Sequence, residues 1–221
     1  MSAVYPDGEF ELPLFPLPNL VFFPSTRLPL HIFEPRYRQM IADALDSDQR
    51  FGIVLLRPGW QDDYYGAPAV HTLGTLGTIE QAVSLDDGRY NILVRGDVRV
   101  RILAEEARAP YRMARVVAQP EAAPAPEHGY AQREWLADLS RQYLTYLPNQ
   151  MAVPEIDTVG LDSLTNALIM SLNLDVEEKQ RLLEIDQLVQ RAEKIGTELQ
   201  QRIESLRLLA PYRRDADPSR N

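Results

Sequence analysis

The sequence predicts an α+β protein, in which a small, bent antiparallel β-domain carrying one helix is followed by an all-α helical bundle. Three observations point that way. Between Leu76 and Ala118 apolar and polar residues alternate with the period of strands. Beyond Gly129 leucines recur at helical spacing, with no strand pattern. Between the two lies "AQPEAAPAPEHG", residues 118–129, a Pro- and Ala-rich stretch with no core-forming residue. The expected organisation is a β-domain over 10–118, a linker over 119–128, a helical domain over 129–210 and a disordered tail over 211–221.

The first element is the least regular. "LPLFPLPNLVFFPSTRLPLHIFEPRYRQM", Leu12 to Met40, is apolar enough for a core yet carries prolines at 13, 16, 18, 24, 29 and 35. Proline fixes φ and lacks a backbone donor, which excludes one long helix or a central strand and requires short extended pieces broken by bends. After Pro35 the spacing of Tyr37, Met40, Ile41, Ala44 and Leu45 predicts an amphipathic helix over 35–46, with Pro35 in the first turn and Glu34 at the positive end of the dipole. "FGIVLL", 51–56, is a strand buried on both faces, and "RPGWQDDYYGAPAVHT", 57–72, is a long loop without periodicity. A meander follows, with a hairpin turn at Asp86-Asp87-Gly88 and a second turn at Gly96-Asp97. Tyr90, Ile92 and Val94, then Val98, Val100 and Ile102, face inward, while arginines alternate with them on a wet face.

In the second half, Trp135, Leu136, Leu139, Tyr143, Tyr146 and Leu147 form one stripe, and Leu161, Leu164, Leu168 and Leu172 another. Asp175 with Glu178 reads as a capping box opening a short helix, and Asp186 as the cap of the next. From there Val189, Ala192, Ile195, Leu199, Ile203 and Leu206 define a narrow seam on a long charged helix ending before Pro211.

Composition narrows the function. The 221 residues include no cysteine, which removes disulfides, thiolate catalysis and Cys-ligated metals. A net charge of −9 opposes an electrostatic grip on nucleic acid or an anionic membrane. No window has the length of a membrane span and "MSAVYPDGEF" has no secretory pattern, so a cytoplasmic location is expected. No glycine is followed by lysine, so no P-loop is present. Lys179 and Lys194 lie in predicted helices, and His31, His71 and His128 are isolated. No catalytic residue, metal site or cofactor is therefore assigned. "LGTLGT", 73–78, lacks the strand-to-helix setting of a phosphate loop, and its glycines read as a bend or bulge.

Two surfaces remain as binding candidates. Trp60, Tyr64 and Tyr65, between Gly59 and Gly66, can form an aromatic platform for a partner peptide or fold back as a lid over the β-domain. Arg89, Arg95, Arg99 and Arg101 can form a basic sheet face for RNA or a small ligand, although alternating arginines are also what a solvated face contains.

"LPLFPLPNLVFFPSTRLPLHIFEPRYRQMI", followed by "RFGIVLL", "LGTIEQ" and "DGRYNILVRGDVRVRI", closely resembles the amino-terminal substrate-binding domain of Lon proteases, in particular its occurrence in proteins without the ATPase and protease modules. The resemblance covers most of 10–118, and "EEKQRLLEID" with the long helix after it is similar to the helical part of that family. It implies a PUA-like, barrel-like β-domain and a non-enzymatic role in binding unfolded or apolar polypeptide segments, with a protease or chaperone acting in trans as a further partner. A PUA-like RNA- or small-ligand-binding module is the alternative. The matching positions Pro13, Phe15, Pro16, Pro24, Pro29, Glu34, Pro35, Arg36, Tyr37, Gly52 and Gly77 carry an architectural role, with Glu34 and Arg36 placed to fix the corner that leads into the helix.

Overall fold

The computed structural model describes residues 8–63, 66–106, 110–122, 124–146 and 156–213. Packing divides the chain into two compact units, one formed by Met1–Ala122 with Asn173–Asp186 and the other by Ala123–Leu172 with Gln187–Asn221. The helix that opens at Asp175 thus belongs with the sheet, whereas the sequence pattern grouped it with the helices around it.

The first unit holds β1 (Glu9–Leu17), β2 (Arg27–Ile32), α1 (Pro35–Leu45), β3 (Arg50–Leu55), β4 (Leu73–Ser84), β5 (Tyr90–Glu106) and β6 (Arg112–Gln119). The sheet is mixed, which corrects the antiparallel expectation: β1 and β3 run parallel, with Leu14 opposite Gly52 and Leu17 opposite Leu55. A parallel pair needs a long crossover, and β2 with α1 supplies it. The order is β2-β5-β4-β3-β1-β6, and β6 pairs again with the far half of β5, Arg99–Glu106, so the strands close on themselves.

β1 also corrects the expectation that prolines keep this segment out of the sheet interior. It pairs with β6 through Glu9–Leu14 and with β3 through Leu14–Leu17. The strand has a neighbour on each side, but only Leu14 has both at once. Pro13 faces β6 alone and Pro16 faces β3 alone, so each proline sits in a locally one-sided strand, where a missing donor need break no ladder.

The predicted helix after Pro35 and the strand at 51–56 form as α1 and β3, and β3 is buried along nearly its whole length. The hairpin turn also forms: Gly88 has φ +77° and donates its N–H to Leu85 O, while Leu85 N–H donates to Arg89 O, each at 2.8 Å. The second predicted turn does not form. β5 is continuous through Gly96-Asp97, and the β4 register passes from Leu76↔Val98 to Gly77↔Gly96, which leaves Asp97 as a bulge. Asp97 accepts hydrogen bonds from Thr78 Oγ1 and, at 2.8 Å, from Arg95 Nε. The bulge makes room for the apolar turn "VFF", whose Val21, Phe22 and Phe23 are buried. Their carbonyls remain paired, with Thr75 Oγ1 donating to Phe22 O and Thr26 Oγ1 to Phe23 O, both at 2.6 Å. Gly96 is required by this contact, because a Cβ there would lie 2.3 Å from Phe23 O.

Later in the chain α4 (Val176–Leu183) packs within the first unit, while α2 (Pro126–Leu144), α3 (Leu161–Ser171) and α5 (Leu188–Arg213) pack pairwise in the second. Asp175 caps α4 by accepting from Glu177 N–H at 2.9 Å. Of the first predicted stripe Leu136, Leu139 and Tyr143 are buried, Trp135 and Tyr146 are half-buried and Leu147 lies outside the described residues, while Leu161, Leu164, Leu168 and Leu172 of the second are all buried. On α5, Ala192, Ile195, Leu199 and Ile203 are buried as expected, together with Arg191, which donates to Asn166 Oδ1 at 3.1 Å. Trp135 of α2 lies on Gly196 of α5, where a Cβ would sit 2.0 Å from its ring. α5 continues through Pro211 to Arg213, two residues beyond the proline, rather than ending before it. A proline that near a helix end removes only one late hydrogen bond. The tail from 214 onward lies outside the described residues.

Replacing Gly96 by Ala is expected to destabilise the first unit by about 2 kcal/mol, because Phe23 O must be displaced. Urea unfolding checks this, and a change within about 0.5 kcal/mol, the usual range for inert sites, contradicts the close packing of the apolar turn on Gly96.

Candidate functional site

The corner between β2 and α1 collects five of the motif residues, Phe15, Glu34, Pro35, Arg36 and Tyr37. Arg36 Nη2 lies 3.1 Å from Glu34 Oε2, and its guanidinium lies 4.6 Å from the centre of the Tyr37 ring. Phe15 meets Tyr37 edge to face at 4.5 Å and Phe51 at 6.1 Å. Gly52 stands against the Leu12 and Leu14 side chains, and Gly77 against Val94 and Phe22. Pro24 is buried beside the apolar turn, and Pro35 occupies the first turn of α1. Phe15, Tyr37, Gly52 and Gly77 are packed inward, whereas Glu34 and Arg36 are half-buried and Pro35 is exposed.

Of the loop aromatics, Trp60 opens a one-turn 3₁₀ helix, Trp60–Asp63, and packs half-buried against the core cluster that includes Leu12, Leu14, Val54 and Val70. Tyr64 and Tyr65 lie outside the described residues.

The four arginines of the predicted wet face have separate fates. Arg89 is held by Asp87 at 2.6 Å, and Arg95 by Asp97 with Glu80 near. Arg99 is buried, with 1% of its side-chain surface exposed, which corrects its assignment to solvent. Its Nη1 donates to Leu183 O at 3.0 Å, the last residue of α4, and to Ile185 O at 3.2 Å, two residues beyond it. Asp186 lies 3.2 Å and Glu121 3.8 Å from the same guanidinium. Asp186 also accepts from Gln119 Nε2 at 2.6 Å, so its carboxylate serves the first unit instead of the helix that follows. Arg101 keeps an unpaired guanidinium among the described residues.

An open apolar surface of the first unit is a three-strand face that the alternation pattern does not mark. Register aligns Pro29, Leu93 and Gln81 in one row across β2, β5 and β4, and His31, Asn91 and Val83 in the next. These residues, with Leu30 and Ile92 at the rim, line a groove of about 500 Å³. Val83 is 58% exposed, and Phe33, just past β2, is 61% exposed and stacks on His31 with 6.2 Å between ring centres. His31 Nδ1 lies 2.7 Å from Asn91 Oδ1, and Nε2 lies 3.2 Å from Arg89 Nη1. Among the described residues β2 is a terminal strand whose ladder runs only to β5, and Pro29 contributes no backbone donor to it. The face therefore offers apolar contact flanked by an incomplete backbone edge. Among the described residues no group of His, Asp and Glu is arranged to hold a metal ion, and no helix is long and apolar enough to cross a membrane.

The family described as the ATP-dependent protease La (LON) substrate-binding domain matches residues 11–201. Among curated proteins, Lon protease 2 of Myxococcus xanthus is 31% identical over 204 residues, covering 89% of this chain and 24% of the relative. The Lon protease of Anaeromyxobacter dehalogenans is 30% identical over 207 residues with the same coverage. The chain thus spans about a quarter, 24%, of the length of these relatives. Among solved structures, a Lon N-terminal domain protein from Xanthomonas campestris superposes with a TM-score of 0.60 at 25% identity, covering 84% of this chain and 96% of that one. The N-terminal domain of a Mycobacterium avium complex Lon protease shares the fold, with a TM-score of 0.65 at 18% identity and coverage of 86% and 98%.

Replacing Arg99 by Met is expected to cost about 3 kcal/mol, since it leaves Asp186, Glu121 and the carbonyls of Leu183 and Ile185 without their shared partner. Amide exchange in Val176–Leu183 should accelerate with it. Unchanged protection of α4 would show that Arg99 does not hold it.

Proposed function

The chain belongs to the LON substrate-binding domain family, and on that premise we propose that it is a non-enzymatic module that binds unfolded or apolar polypeptide segments. The observation that carries this reading is the solvent-facing rows of β2, β5 and β4. Exposed Val83 and Phe33 beside half-buried Leu93 form a shallow apolar strip, open at the side of a terminal strand. Aligned strands present side chains at regular intervals, which suits an extended chain. Because Pro29 interrupts the donors of that edge, recognition rests on side-chain contact more than on added ladder bonds, and tolerance of many sequences results. Ordering a flexible chain costs entropy, so affinity is modest, about micromolar.

In the same reading, the ring closed by β5 and β6 is the bent barrel of a PUA-like domain, and the module acts in the cytoplasm as an adaptor delivering chains to a protease or chaperone in trans. The loop that carries Trp60, Tyr64 and Tyr65 is a second contact surface to be tested beside the groove. The RNA-binding alternative loses support from the arginines it requires: Arg99 is buried, and Arg89 and Arg95 are matched by acidic partners.

Fluorescence anisotropy of a labelled unfolded polypeptide tests the proposal. Val83→Glu is expected to weaken binding by about tenfold, since a charge would be set in an apolar contact, and added salt should have little effect on the wild type. Trp60→Ala should lower stability more than affinity. Binding unmoved by Val83→Glu would remove the groove as the site, and a steep loss with salt would contradict an apolar mechanism.

A further inference from the structure

A second concavity of the first unit, separate from the groove, has the chemistry of a ligand site. It is a polar pocket of about 400 Å³ where α4 lies beside the start of β4. Glu177, Gln180, Arg181 and Glu184 face it from consecutive turns of α4. Opposite them stand His71 and Leu73, with Arg101 across the β4–β5 ladder from Leu73, and Arg57 at the rim.

Two features there are unbalanced. The first is a buried acceptor. Gln180 is 1% exposed and its Nε2 donates to Leu73 O at 3.1 Å and to Glu184 Oε1 at 2.9 Å, which leaves its buried Oε1 without a donor. Buried polar atoms are nearly always paired, so an orphan that lines a cavity marks a place for an incoming N–H or O–H. The second is charge. Arg57, Arg101 and Arg181 have no ion-pair partner among the described residues, in a chain whose net charge is −9. Glu177 and Glu184, which lie 3.5 and 3.8 Å from the two nitrogens of His71, offset two of these three charges and leave one positive charge over in the pocket.

The pocket thus asks for one oxyanion together with a hydrogen-bond donor close by. The two glutamates at its wall oppose a polyanion, whereas a single carboxylate facing three guanidinium groups suits it. A polypeptide terminus carries both groups on one Cα, a carboxylate and an amide N–H. We propose that this pocket binds the free α-carboxylate end of a polypeptide, with Arg57, Arg101 and Arg181 donating to the carboxylate and Gln180 Oε1 accepting from the terminal amide N–H. The inference takes its ligand class from the polypeptide-binding reading but uses a different surface.

The test titrates the intact chain, followed by NMR, with an N-acetylated alanine tripeptide bearing a free carboxylate, with its C-terminal amide, and with inorganic phosphate. The free acid is expected to bind saturably, and the amide about tenfold more weakly. Arg101→Gln and Arg181→Gln, both at exposed positions, should each weaken the acid severalfold and leave the fold and the groove unaffected. Equal binding of acid and amide, tighter binding of phosphate than of acid, or no binding would each overturn the proposal. A polypeptide with an amidated end that still binds at the Val83 groove while the tripeptide fails sinks this inference alone. A tripeptide that binds while that polypeptide does not sinks the groove reading alone.

Discussion

The change of partner at Leu14 is the constraint on which the first unit depends. A strand carrying two prolines cannot complete ladders on both sides, yet β1 lies between β3 and β6. Pairing its first half with one neighbour and its second with the other resolves the conflict. The same exchange dictates much of the remaining topology. A parallel partner for the second half needs a crossover, which brings in β2 and α1, and an antiparallel partner for the first half brings β6 back across the sheet. Phe15, just past the exchange, is then directed at Tyr37 and Phe51 and seats the helix.

Arg99 extends this frame beyond the sheet. A buried guanidinium is costly unless it is paired, and here Nη1 is used by the carbonyls of Leu183 and Ile185, while Nε faces the Glu121 carboxylate at 3.8 Å without a hydrogen bond. Carbonyls left over at a helix C-terminus carry partial negative charge, so a cation there answers two needs at once. The chain enters the helical unit at Ala123, returns for α4, and leaves again at Gln187. This one side chain reaches the stretch that returns. The polar pocket lined by Arg101 and Gln180 is a by-product of that docking.

Much of the fold was legible in the sequence wherever a local rule and the tertiary contacts agree. Pro35 in a first turn, Gly88 in a turn that needs positive φ, the unbroken apolar run of β3 and the Asp175 cap are of that kind. The failures share a cause, in that each residue's role is fixed by a distant partner. Gly96-Asp97 has the composition of a turn, but the glycine is there to admit the Phe23 carbonyl. Arg99 alternates with apolar neighbours as a solvated residue would, and only α4, more than eighty positions away at |i−j| = 84, makes it interior. Pairing of β1 on both sides could not be foreseen from its prolines, because the rule they obey acts residue by residue. Of the candidate site, the aromatic loop stood out by composition, whereas the groove is assembled from Pro29, Val83 and Leu93 on three strands and has no signature in any one of them.

Pro29 has one more consequence, which concerns the company the protein keeps with itself. A terminal strand beside an apolar face is the geometry by which sheets of separate molecules zip together and grow. A surface made to hold sticky chains would be exposed to that hazard whenever its concentration rose. The proline leaves a gap in the middle of the six residues of β2, so a second β2 laid alongside it would lack a continuous run of bonds to propagate. The face can stay adhesive toward side chains while its own edge remains a poor template for polymerisation.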